Sequence, residues 1–233
     1  MSGRGRWPSR RPRWAPSLTL LLLTMGARDP LQAQGTRLSR WAVTVGPEWN
    51  GQVFMGEADA TETGNGTAPV TLFRTTTRLD GGVGVSGGVG IRATTSVWVE
   101  TAVRYRSTRL MKDVTGDIEG AADTTASERV QHLQVDGGAQ WLVRRWQRRR
   151  LTPYVSGGAG YIRQLHGDGT LVMSGWSGYG GGGVLVELPA RSDGAFRSLA
   201  LRFEARAVWL GGVTLDDAAH AGAALGAAIV FRR

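Results

Sequence analysis

Between Ser198 and Leu210 the chain reads SLALRFEARAVWL. Leu199, Leu201, Phe203, Ala205, Ala207 and Trp209 occupy every second position, and Ala200, Arg202, Glu204, Arg206 and Val208 the positions between. Side chains alternate faces along a β-strand, so this segment has one apolar face and one face with three charges at its centre. A helix would scatter those charges around its circumference. A strand of this kind needs neighbours on both edges, and the rest of the chain must supply them.

The same alternation recurs along the sequence. The expected strands are Leu38–Gly46, Asp80–Arg92, Ser96–Leu110, Glu128–Val143, Thr152–His166, Leu171–Leu188, Ser198–Leu210 and Ala219–Phe231. In the second, Val83, Val85, Val89 and Ile91 share a face opposite glycine and serine. In the third, Val97, Val99, Val103 and Tyr105 oppose Trp98, Glu100, Arg104 and Arg106. Pro47–Arg78 and Met111–Ser127 are polar and rich in acids, and they read as long loops, although Val70–Thr77 could extend the strand that follows. Asn65-Gly66-Thr67 matches a glycosylation sequon, too short a match to weigh. Ala93-Thr94-Thr95 and Arg144–Arg150 read as short turns.

The formal net charge of +9 invites a nucleic-acid reading, but much of it is local. Residues 1–34 hold six arginines and one acid; without them 22 basic and 18 acidic residues remain. That segment reads as a signal peptide: an arginine-rich start to Arg13, an apolar run Leu18–Met25, and a small-residue site at Leu31-Gln32-Ala33. The run is far shorter than the roughly 20 residues a membrane helix needs. Ser9-Arg10-Arg11 hints at a twin-arginine signal, which Pro12 and Trp14 fit poorly. Cysteine is absent, which excludes a disulfide framework, a thiolate metal site and a lipoprotein anchor. Residues 35–233 form the expected mature domain. No later segment has 18 unbroken apolar residues.

Eight antiparallel strands of this kind fit two barrels. A soluble barrel turns its apolar face inward; a transmembrane barrel turns it outward to lipid and fills its interior with polar chains. Strand length, alternating long and short connections, and aromatics at strand ends on the apolar face (Trp41, Tyr105, Trp141, Trp209, Phe231) favour the second. On these features the chain resembles the small eight-stranded bacterial outer-membrane barrels, the OmpA/OmpX-like superfamily. The resemblance covers about residues 35–233 and includes a last strand, Ala223–Phe231, that ends in an aromatic. It implies an all-β, up-and-down transmembrane barrel in the cell outer membrane, with periplasmic termini and long extracellular loops. It implies contact with outer-membrane lipids and with the barrel-assembly machinery through the C-terminal strand, from which Arg232 and Arg233 are a departure.

With the polar face inward, Glu100, Arg104, Arg106, Asp136, Arg202, Glu204 and Arg206 form an expected interior charge network. The third and seventh strands lie four apart in a ring of eight, so their charges can meet across it, and buried charges require such partners. A structural or surface-interaction role follows, with no catalytic, cofactor-binding or metal site. A narrow gated channel is one alternative. An outer-leaflet lipid-modifying enzyme is another: some barrels of the resembled group use a histidine and a serine, and His132, His166 and His220 fall with Ser127, Ser174 and Asp168, Asp216 and Asp217 toward the loop end. No spacing among them is diagnostic. Two GxGxxG matches, at Gly82–Gly87 and Gly178–Gly183, lie within strands with no helix following, so they are not dinucleotide sites.

Overall fold

The computed structural model describes residues 40–62, 69–167, 171–189, 198–214 and 218–233. The signal segment 1–34, the sequon at 65–67, and Asp168, Asp216 and Asp217 lie outside these residues. The described chain is almost wholly strand: β1 (Trp41–Asn50), β2 (Val53–Glu62), β3 (Val70–Leu79), β4 (Gly82–Arg92), β5 (Val97–Thr115), β6 (Thr124–Leu142), β7 (Leu151–His166), β8 (Leu171–Leu188), β9 (Ser198–Gly211) and β10 (His220–Arg232).

These make one antiparallel ten-stranded sheet, ordered β2-β3-β5-β4-β1-β10-β9-β8-β7-β6, with a further pairing of β5 to β6. The expectation of eight strands, and with it a plain eight-stranded barrel of the resembled group, is corrected by this count. The two additional strands come from Pro47–Arg78, which is not a loop. β1 runs through Pro47 to Asn50. After a break at Gly51–Gln52 the chain continues as β2, returns as β3, and breaks again at Asp80–Gly81 before β4. Alternation failed to reveal this hairpin because its apolar period is broken where it projects: only the small Ala58 and Ala60 stand among Glu57, Asp59, Thr61 and Glu62 on β2, and Leu72 and Phe73 are adjacent, not alternate, on β3.

β5 and β6 also extend past their expected ends. Their register continues to Val114↔Thr124, leaving only residues 116–123 between them, where Gly116 and Gly120 take positive φ. β5 pairs with β4 along its first half and with β3 along its last turns (Leu79↔Leu110 to Arg74↔Thr115). The pairing run β5-β4-β1-β10-β9-β8-β7-β6 thus returns to β5, and the β2–β3 hairpin is attached to it through β3.

The apolar face points outward. Val45, Val83, Val85, Val89, Ile91, Val155 and Leu225 are all more than half exposed, as are the aromatics Trp141, Tyr161 and Trp176. The inward face is capped at each end by apolar side chains. Ala42, Trp98, Leu142, Tyr154, Leu185, Ala200 and Val230 cluster near the two termini. Val53, Met55, Leu79, Leu110, Val130, Ile162, Leu210 and Val213 cluster at the opposite end. Between them, on the inward positions of β5, β6 and β9, lie the charges.

Candidate functional site

Each charged side chain reaches the interior because its strand alternates. On β9, Arg202 and Arg206 are buried while Phe203 and Ala205 between them, and Ala207 after them, are exposed. The expected seven residues are all inward-facing, and the structure adds an eighth, Glu48 of β1, which is 6 % exposed. Glu48 joins two strands that face it. Its Oε2 accepts from Arg104 Nε at 2.9 Å and pairs with Arg206 Nη2. Arg104 Nη1 in turn pairs with Asp136 Oδ2. Asp136 Oδ1 accepts from Gln134 Nε2 at 2.8 Å and from Ser177 Oγ at 3.0 Å.

A second group lies nearer the termini. Arg202 Nη1 donates to both Glu100 oxygens, at 2.9 and 2.7 Å, so the third and seventh expected strands meet across the interior as their positions imply. Arg202 Nη2 lies 3.4 Å from Glu204 Oε2, and Glu204 Oε1 accepts from Ser156 Oγ at 2.7 Å. Arg106 is buried beside Glu48, Arg104, His132 and Gln134, but its Nε lacks a hydrogen-bond partner among the described residues. Four arginines therefore face four carboxylates (Glu48, Glu100, Asp136, Glu204). Arg104, Arg202 and Arg206 are ion-paired within this set, and equal numbers of opposite charges are the condition under which charge can stay buried.

Two tyrosines fill the remaining width. Arg104 and Arg206 lie over the Tyr179 ring, 5.6 and 5.3 Å from its centroid. This ring needs glycine opposite it: a Cβ at Gly158 would come within 2.8 Å of Tyr179 Cε1, and one at Gly138 would meet the Tyr179 hydroxyl. Tyr154 takes the same kind of space, since a Cβ at Gly183 would lie 2.7 Å from its hydroxyl. These glycines are the space into which the two rings fold. Arg232, at the terminal end, pairs with Glu187, and both Arg92 and Arg232 lie over the Trp98 ring.

Among the described residues, the three histidines make separate contacts. His132 is 2 % exposed. Its ring nitrogens contact Gln134 Oε1 at 3.3 Å and Gln164 Nε2 at 3.4 Å, which fits a neutral ring with its proton on Nε2. His166 Nδ1 lies 3.6 Å from Glu128, and His220 stacks edge-on against Phe54. Ser174 accepts from the Tyr161 hydroxyl on the outward side. Among the described residues, no group of three or more histidine or acidic side chains is placed to hold a metal ion.

Could the interior conduct? The cavities beside the network, one lined by Glu48, Arg104 and Gln134 and one by Glu100, Arg202 and Trp98, measure ≈ 10 Å³ each. That is about the room a single water requires. The chain is an antiparallel β-barrel with a buried network of salt bridges and hydrogen bonds across its interior.

No protein-family model matches the chain, and no curated protein matches it. Similar solved structures include the outer membrane protein OprG from Pseudomonas aeruginosa, with 10% sequence identity and a TM-score of 0.46 over 84% of this chain and 96% of that one. Neisserial surface protein A has 11% identity and a TM-score of 0.42 over 83% of this chain and 97% of that one. Ail, the attachment invasion locus protein of Yersinia pestis, solved with the heparin analogue sucrose octasulfate, has 11% identity and a TM-score of 0.40 over 84% and 99%.

Proposed function

We propose that the protein is a non-catalytic barrel of a bacterial outer membrane, with a structural or surface-interaction role and an interior sealed by its charge network. One observation carries this reading: the inside-out distribution of polarity. Charged Arg104, Asp136 and Arg206 are buried, while a belt of valine, isoleucine and aromatic side chains is exposed around the strands. In water that belt would be a large unpartnered apolar surface, whereas in a bilayer it meets lipid. Arginine and carboxylate on the inward face then avoid the hydrocarbon altogether.

On this reading residues 1–34 direct export, residues 35–233 insert with periplasmic termini, and β10 with its terminal Phe231 engages the barrel-assembly machinery. The β2–β3 and β5–β6 hairpins project outside the cell as the interacting surface. Heat-modifiable gel migration tests it: the folded protein extracted from outer membranes should run faster unboiled than boiled. Recovery of the protein in the soluble periplasmic fraction without detergent refutes it.

A further inference from the structure

The end of the barrel where β1 begins and β10 ends is strongly basic. Arg40, Arg233 and five arginines of the β6–β7 turn are exposed there. Glu187, the carboxylate at this end among the described residues, is already paired with Arg232. The opposite end bears Asp59, Asp113, Asp117, Glu119, Asp123 and Glu128. That end also carries Arg74, Arg78, Lys112 and Arg129, with Asp59 and Asp113 ion-paired to the first two, so it is of mixed charge where the other is basic.

The β6–β7 turn is built in a way that charge alone does not explain. Arg148 and Leu151 exchange backbone hydrogen bonds of 3.0 and 2.8 Å, so Arg149 and Arg150 form a two-residue turn. Arg149 has φ 48, the one positive φ outside glycine among the described residues. Glycine is the natural occupant of such a position, because it has no Cβ to strain. An arginine stands there instead, between two more. Below them, Leu151 and Val186 are register neighbours whose side chains share the outward face; their neighbours Thr152 and Leu185 point in. The three arginines and these two apolar residues line one open groove. Nearby, Trp146 is 59% exposed with the Arg145 guanidinium 4.9 Å from its ring centroid.

We infer that this arginine collar binds anionic phospholipid of the leaflet at the terminal end, with the phosphate among Arg148, Arg149 and Arg150 and the acyl chain along Leu151 and Val186. The inference rests on the membrane-spanning reading above. Guanidinium groups pair phosphate oxygens two at a time. A tryptophan at headgroup depth anchors the same level. Each arginine near an anionic surface adds to the attraction.

Native mass spectrometry of the folded full-length protein in detergent, titrated with phosphatidylglycerol or phosphatidylcholine, tests the site. The anionic lipid should be retained about tenfold more strongly. Arg149→Gly should reduce that preference without lowering the unfolding midpoint, since glycine suits the backbone. Arg148→Gln with Arg149→Gly and Arg150→Gln should abolish it. Equal retention of the two lipids, or an unaltered preference in the triple variant, overturns the inference. So does displacement of the lipid by inorganic phosphate at equal concentration, which would assign the patch to a soluble anion. Insertion into phosphatidylcholine vesicles is scored separately by heat-modifiable migration: failure there refutes the membrane reading, while insertion without lipid preference refutes only the collar.

Discussion

Glu48 completes the interior. The seven charges legible in the sequence comprise four arginines and three carboxylates, so the expected network carried an unmatched cation. Glu48 supplies the fourth carboxylate and holds Arg104 and Arg206 together. It was missed because Gly46-Pro47 reads as the end of a strand, and proline cannot donate to a ladder. Yet the β1–β10 register resumes at Glu48↔Gly226 with no shift, and Ala42, Thr44 and Glu48 stay in phase on the buried face. Charge balance was the signal that could have found it. Glu48→Gln should leave buried Arg206 without its carboxylate, and Arg104 with Asp136 alone, and destabilise the folded protein by about 3–5 kcal/mol, read from urea unfolding in lipid vesicles. Glu57→Gln, on an exposed pair with Arg74, should leave the same unfolding curve unmoved. Similar losses in both variants would contradict the buried role. Gly158→Leu should clash with the Gly137–Gly138 backbone as well as the Tyr179 ring, seen as loss of the unboiled gel band; a full band would show that the interior has room to spare there.

At the scale of elements, alternation identified the strands wherever one face is apolar and exposed and the other points to the interior. It failed where polar residues break the apolar period. The β2–β3 hairpin and the distal parts of β5 and β6 are strands by hydrogen bonding alone, and no hydrophobic period marks them. The hairpin also plugs the barrel, because Val53, Met55 and Leu79 belong to the apolar cluster that closes the distal end of the interior. Replacing residues 53–79 by a tight Asn-Gly turn should therefore leave the β1–β4 ladder and the heat-modifiable fold intact. It should also open the interior, measured as entry of small solutes into proteoliposomes in a swelling assay. Swelling no faster than with the unmodified protein would mean that the distal cluster closes nothing.

The whole molecule is a stack of layers: an apolar cap at the terminal end, a neutral charge network, and a second apolar cap. A path through it would require parting paired charges on β1, β5, β6 and β9 at once. The unmodified protein should accordingly show no single-channel steps in planar bilayers. Reproducible steps that change with Arg104→Ala or Arg206→Ala would establish a channel instead.

What the sequence determined by itself is the period and its content. Apolar and charged residues alternating through Ser198–Leu210 and its relatives dictate strands with one oily and one polar face, because side chains alternate and nothing else about the local chain matters. Which charge meets which was decided only by the tertiary structure. Glu48 and Arg206 are far apart in sequence, and their pairing depends on the register around the sheet, which no local pattern encodes. The strand count was likewise settled by pairing, since hydrogen bonds between backbones form without regard to hydrophobic period. The Arg202-Glu204-Arg206 row thus fills the barrel as part of a set of eight charges, completed by a carboxylate from a segment that reads, locally, as a loop.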